Sequence, residues 1–135
     1  MNDPSPTLDP LSVAHRLYEA FRRGDGAALF ALLHPDFTGY VSDGMPMAVG
    51  GAVPDRQHML RVWGTIAAEY AVRPIPGEFI RADASRIVVL GHYCGSGLRK
   101  GGGGPIRAVF AHILDIRDNA IVSLKQITDT ASWSV

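Results

Sequence analysis

The second half of the chain limits what it can fold into. Between Val72 and Thr130 it reads as four long strand-like segments, about Val72–Ala82, Arg86–Gly95, Pro105–Arg117 and Ala120–Thr130. The breaks between them are Asp83-Ala84-Ser85, Leu98–Gly104 and Asp118-Asn119. These are turn chemistries, so the spacing predicts an antiparallel, hairpin-connected sheet. Within the third segment Phe110, His112, Leu114 and Ile116 share one face by alternation. The opposite face carries Val109, Ala111 and Ile113, which is too apolar for a free surface.

The first half reads as helices. Asp9 caps the first, with Pro10 at its first position, and Leu11, Ala14, Leu17, Tyr18 and Phe21 recur at helical spacing. Gly24 stops it, and Asp25 caps a shorter helix over Ala27–Leu33, ended by His34-Pro35. Phe37–Val41 reads as a short strand. A Gly-, Met- and Pro-rich loop follows, in which Met45 and Met47 suit a flexible lid or ordinary loop packing. Pro54-Asp55 opens a third helix, with Met59, Val62, Trp63, Ile66 and Tyr70 on one face. Three helices cannot cover both faces of such a sheet. The expected architecture is α+β: a cone-shaped, barrel-like fold in which a strongly curved antiparallel sheet wraps around the three helices. The helices close the narrow end of a conical cavity, a natural small-molecule site.

A length of 135 residues fits one domain, here residues 10–135 behind a flexible arm at 1–9. Thirteen basic and thirteen acidic residues leave no net charge, which gives no pull toward nucleic acid. No apolar run reaches the roughly 20 residues of a membrane span, and the N-terminus lacks the pattern of a signal peptide. One cysteine, Cys94, excludes a disulfide framework and makes a reducing cytoplasm the expected location. His15 and Glu19 stand at helical ligand spacing, but a surface pair accounts for them, and no metal or cofactor is expected. Lys100 and the glycines after it do not open a helix as a phosphate loop would, and read as a hairpin tip. Cys94 lacks a clear base partner.

Five segments together carry a resemblance. They are Val13–Phe21 with Gly24-Asp25, His34-Pro35-Asp36-Phe37, Gly91–Gly95, Phe110-Ala111-His112 and Ile127–Ala131. In this order the chain resembles the nuclear transport factor 2-like superfamily, most nearly its SnoaL-like branch, which contains polyketide cyclases. The resemblance covers about residues 10–133. It implies the cone-shaped fold above, and a fold that hosts isomerases, dehydratases, epoxide hydrolases, cyclases and inert binders.

Asp129 has two readings from its residues alone: a strand-end acid that caps a turn or pairs with an Arg, or an acid/base in an apolar pocket whose pKa burial raises. The resemblance implies the second, since such cyclases carry their acid/base Asp at this strand end. His112 reads alone as a core histidine. The resemblance puts it in the cavity wall near Asp129, and pairing about Asp118-Asn119 brings it toward Gln126. Gln126 is a candidate hydrogen-bond donor, but strict alternation sets it on the face opposite Asp129, so only a bulge would turn both inward. Tyr93 is a candidate oxyanion donor and Trp63 a stacking surface, with core packing as the alternative for each. Phe37, Tyr40, Met59 and Phe110 are expected as cavity wall.

Departures from the pattern narrow the chemistry. Steroid isomerases of this fold would place a helix Tyr near Leu17, a donor Asp near Ala111 and a base Asp near Val41, and all three are apolar here. The Arg-x-Asp pair of the epoxide hydrolases would fall near Gly91–Tyr93 and is absent. The expectation is a cofactor-free acid/base catalyst on a small apolar carbonyl compound, with Asp129 and His112 at its centre. The alternative is a non-catalytic binding or dimerisation module. A homodimer through the outer sheet face is expected in either case.

Overall fold

The computed structural model describes residues 7–98 and 104–133. Helix α1, Pro10–Arg23, starts where the Asp9 carboxylate accepts the Leu11 N–H at 2.9 Å and stops at Gly24, whose φ of 61° puts it in the left-handed region. Asp25 accepts the Ala28 N–H and opens α2, Gly26–Leu32. Strand β1, Leu33–Val41, follows without a break, running through the His34-Pro35 step expected to end the helix. The short strand β2, Gly51–Val53, precedes helix α3, Arg56–Glu69, which Asp55 caps through the His58 N–H.

Four strands then follow: β3 Tyr70–Arg81, β4 Arg86–Leu98, β5 Pro105–Arg117 and β6 Ala120–Thr128. They correspond to the four segments legible in the sequence. Asp118 and Asn119 both have positive φ, 54° and 61°, as a two-residue turn between twisted strands requires. The 98–104 tip falls largely outside the described residues, as do residues 1–6 of the arm.

The sheet is mixed rather than wholly antiparallel. Its order is β2-β1-β6-β5-β4-β3, and β1 lies parallel to β6 while every other neighbouring pair is antiparallel. Hairpin chemistry governs only consecutive strands. β1 reaches β6 by way of α3 and the whole second half, so no turn between them reveals their direction. The sheet is curved and open, with β2 and β3 at its edges.

The faces of β5 are divided as alternation requires. Ile106, Ala108, Phe110, His112, Leu114 and Ile116 are buried, while Val109 is 62% exposed. The buried row packs with Val13, Ala14, Leu17 and Tyr18 of α1 and with Met59 of α3. Burying one large apolar side chain contributes roughly 1.5–3 kcal/mol, so this layer between sheet and helices supplies the main stabilisation. Beyond the last strand, Thr130–Trp133 forms one tight helical turn that sets Trp133 into the core, 1% exposed. No helix among the described residues is long and apolar enough to cross a membrane.

Candidate functional site

Between the concave side of the sheet and the helices lies a cavity of about 750 Å³. α1, α2 and α3 contribute Phe21, Leu29, Met59, Trp63 and Ile66, and the sheet contributes Val41, Tyr70, Tyr93, His112, Leu124 and Gln126. Trp133 closes it from the C-terminal turn. The rim includes the exposed residues Gly24, Gly26, Gly64 and Ala67, which place little side chain in the way of entry. Aromatic edges set its shape. Phe21 meets Trp63 edge-on at 5.0 Å between ring centres, and Trp133 meets both Tyr70 and Tyr93 edge-on.

The polar part of the floor belongs to a continuous chain of four buried side chains. The Tyr18 hydroxyl lies 2.7 Å from His112 Nδ1, and the Tyr93 hydroxyl lies 2.7 Å from His112 Nε2. Gln126 Nε2 donates to the Tyr93 oxygen at 2.9 Å. Ser42 anchors the far end, its backbone N–H donating to Gln126 Oε1 at 3.3 Å and its hydroxyl to the Gln126 carbonyl at 3.0 Å. Phe110 stacks on the imidazole with centroids 3.9 Å apart, and Tyr18 lies nearly parallel to both rings.

Each link follows from position. His112 and Gln126 are direct cross-strand partners on β5 and β6, and Tyr93 faces inward from β4. Tyr18 looks down from the core face of α1. Burial makes the members neutral. It holds the His112 pKa at about 3, so the ring is uncharged at pH 7. It raises Tyr18 and Tyr93 well above an ordinary phenol, although the Gln126 hydrogen bond draws Tyr93 partly back. Among the described residues no buried side-chain nitrogen or oxygen lacks a partner. Such a chain is stable because it is complete; stranding one member costs about 1–3 kcal/mol.

Asp129 stands elsewhere. It is exposed and absent from the cavity wall, and its carboxylate accepts the Ser132 hydroxyl at 2.8 Å. Its carbonyl accepts the Ser132 N–H at 3.1 Å, so it caps the C-terminal turn. The expected Asp129–His112 pair is therefore not formed. The physical reason is strand alternation: Gln126 and Asp129 are three residues apart, β6 and β5 stay in register through this stretch, and Gln126 takes the inward position. No carboxylate lines the cavity among the described residues.

Of the other expected residues, Tyr93, Gln126, Trp63 and Met59 line the cavity. Phe37 and Phe110 are buried in the core outside it, and Tyr40 is 37% exposed, donating its hydroxyl to Asp43 at 2.8 Å. Two residues of the network went unrecognised. Tyr18 reads in sequence only as part of an apolar helix face. Its signal was its own hydroxyl, which on a core face needs a partner. Ser42 holds Gln126 through both its backbone N–H and its hydroxyl, and no sequence pattern marks that. Tyr18 and His112 also adjoin Leu17 and Ala111, the positions assigned to the steroid isomerase residues. Those two apolar residues therefore carry no exclusion of that chemistry. Among the described residues no group of three His, Cys, Asp or Glu side chains could hold a metal ion.

A SnoaL-like domain model matches residues 14–124, most of the chain, from within α1 to the middle of β6. The chain belongs to the SnoaL-like family. Solved structures agree on the fold. A protein of unknown function from Burkholderia pseudomallei, described as nuclear transport factor 2-like, is 28% identical to this SnoaL-like chain. It superposes with a TM-score of 0.81 over 93% of this chain and 94% of its own. TerC, solved with polyporic acid, is 23% identical, with a TM-score of 0.82 over 93% and 95% of the two chains. IdmH from Streptomyces antibioticus, described as a candidate polyketide cyclase, is 21% identical, with a TM-score of 0.77 over 93% and 96%. No curated protein matches the SnoaL-like chain.

Proposed function

We propose that the chain is a cofactor-independent catalyst of polyketide cyclase, isomerase or dehydratase type. It acts on a small, largely apolar carbonyl compound held in the cavity. The observation that carries this reading is the buried Tyr18–His112–Tyr93–Gln126 chain, which brings three of its members to the floor of an otherwise apolar pocket. Apolar residues would fill these positions at lower cost, so a polar floor suits a polar group on the ligand. All three reaction types pass through an enol or enolate, and each gains from hydrogen bonds to the oxygen where charge develops. Tyr93 supplies that polarisation, with His112 behind it at 2.7 Å. Asp129 takes no part. The likeness to IdmH supports the reaction class.

The absence of a carboxylate from the described cavity wall favours one other reading, a binder that holds its ligand without turnover. Deuterium exchange at the carbon next to the carbonyl of 2-tetralone, followed by NMR in D2O, separates the two. The catalyst accelerates exchange over buffer, and Tyr93→Phe loses about a hundredfold of that acceleration. Exchange at the buffer rate, with 2-tetralone bound, leaves the binder.

Homodimerisation through the outer sheet face belongs to the same proposal. Val109, Ile127, Ile75 and Leu90 leave 62%, 47%, 42% and 39% of their surface exposed there, next to Ala111 and Ile113. A cytoplasmic location rests on the single cysteine, which is free.

A further inference from the structure

We infer that Ser42 and Tyr18 lock the buried hydrogen-bond chain in one direction, so that the Tyr93 proton points into the cavity and the floor selects ligands whose inner end is a hydrogen-bond acceptor. This deepens the carbonyl reading above and rests on it. The ligand class is then a ketone or enolate oxygen on an apolar body, not an amine or other donor.

The direction follows from both ends. The Ser42 backbone N–H can only donate, so the Gln126 amide turns its oxygen to Ser42 at 3.3 Å. Its NH2 group is left to donate to the Tyr93 oxygen at 2.9 Å. At the other end, His112 Nδ1 is the Tyr18 hydroxyl's hydrogen-bond partner among the described residues. If Nδ1 carried a hydrogen, the Tyr18 O–H would be a buried donor without an acceptor. A stranded donor is costlier than a spare lone pair, so Tyr18 donates and Nδ1 accepts.

A neutral imidazole with Nδ1 accepting carries its proton on Nε2. That N–H donates to the Tyr93 oxygen at 2.7 Å. The Tyr93 oxygen then receives two N–H groups, which fill its lone pairs. Its own hydrogen is left without a partner among the described members of the network, and Tyr93 lines the cavity. Tyr18 is outside the cavity wall and Ser42 acts on Gln126, so both are positioning residues.

The lock also assigns the electrophile. When the ligand enolises, the C–H bond next to the carbonyl breaks. Its proton goes to water and its electron pair moves toward the oxygen, which draws on the Tyr93 proton. The charge that Tyr93 acquires is met by the Gln126 and His112 N–H groups. His112, with Nε2 already protonated, is not the base.

Two measurements on the full chain test this. In ¹⁵N-resolved NMR of the wild-type protein at pH 7, His112 should show the Nε2–H tautomer. A substantial Nδ1–H population overturns the inference, without need of any variant. In parallel, the affinity of 2-tetralone is compared with that of 2-methylenetetralin, which has CH2 in place of the oxygen. The wild type should prefer the ketone by roughly tenfold, and Tyr93→Phe should lose that preference while still binding the alkene. Equal affinities in the wild type, or a preference that survives in Tyr93→Phe, overturn it. A correct tautomer and ketone preference without deuterium exchange would sink the proposed catalysis and leave the lock standing. Exchange in a protein with the Nδ1–H tautomer would do the reverse.

Discussion

Gln126 and Asp129 are three residues apart on one strand end, and the whole site turns on which of them faces inward. Alternation alone puts them on opposite faces, and the structure keeps that alternation. Gln126 is 7% exposed, and Asp129 caps a turn in solvent. The resemblance pointed to Asp129, and the same alternation then counted against Gln126, which the structure turns inward. His112 was legible as an inward residue, and its cross-strand pairing with Gln126 was close to what the turn at Asp118-Asn119 implies. Tyr18 was not legible as a site residue, because an apolar helix face gives no hint of which hydroxyl meets which nitrogen. The buried imidazole has a measurable consequence. Its folded pKa of about 3 lies below the ordinary 6.5, so the unfolded chain binds the extra proton between these values. The stabilisation is full above pH 6.5 and is lost as pH falls toward 3, with a slope of up to about 1.4 kcal/mol per pH unit. Urea unfolding of the wild type and His112→Gln across that range should show this part of the slope vanish in the variant.

At the scale of elements, β3 to β6 were readable because hairpins carry local turn signals. β2 was not, since three residues in a glycine-rich loop have no periodicity. The parallel pairing of β1 with β6 is a long-range contact that no local pattern encodes. The C-terminal turn is a small element with a large share of the cavity. Trp133 packs edge-on against Tyr70 and Tyr93, and its indole N–H donates to Thr128 Oγ1 at 3.3 Å. Trp133→Ala should cost about 3–5 kcal/mol in denaturant unfolding and weaken ligand binding. The middle of β4 is equally intolerant. A Cβ at Gly91 would collide with the Ile75 carbonyl and come within 2.8 Å of the Phe110 ring, the same ring that stacks on His112. Gly91→Ala should destabilise by about 1–3 kcal/mol, read as a lower thermal midpoint.

For the whole molecule, one face of a curved sheet makes the cavity and the other leaves an apolar band. The proposed homodimer would cover that band. Light scattering should give twice the chain mass, and Val109→Glu, at the most exposed of the band's large apolar residues, should give a monomer with its fold intact. A monomeric wild type would sink the dimer and leave the cavity unaffected. Composition and charge set the scale of the fold, but the division of labour between the two faces came from alternation along β5 and β6. The proposed chemistry occurs at Tyr93 in the cavity and not at Asp129 outside it. The most direct measurement is the rate of deuterium exchange into 2-tetralone by Asp129→Asn beside Tyr93→Phe. The account predicts that Asp129→Asn matches the wild type and Tyr93→Phe falls by about a hundredfold. Loss of exchange in Asp129→Asn with Tyr93→Phe unchanged would contradict it.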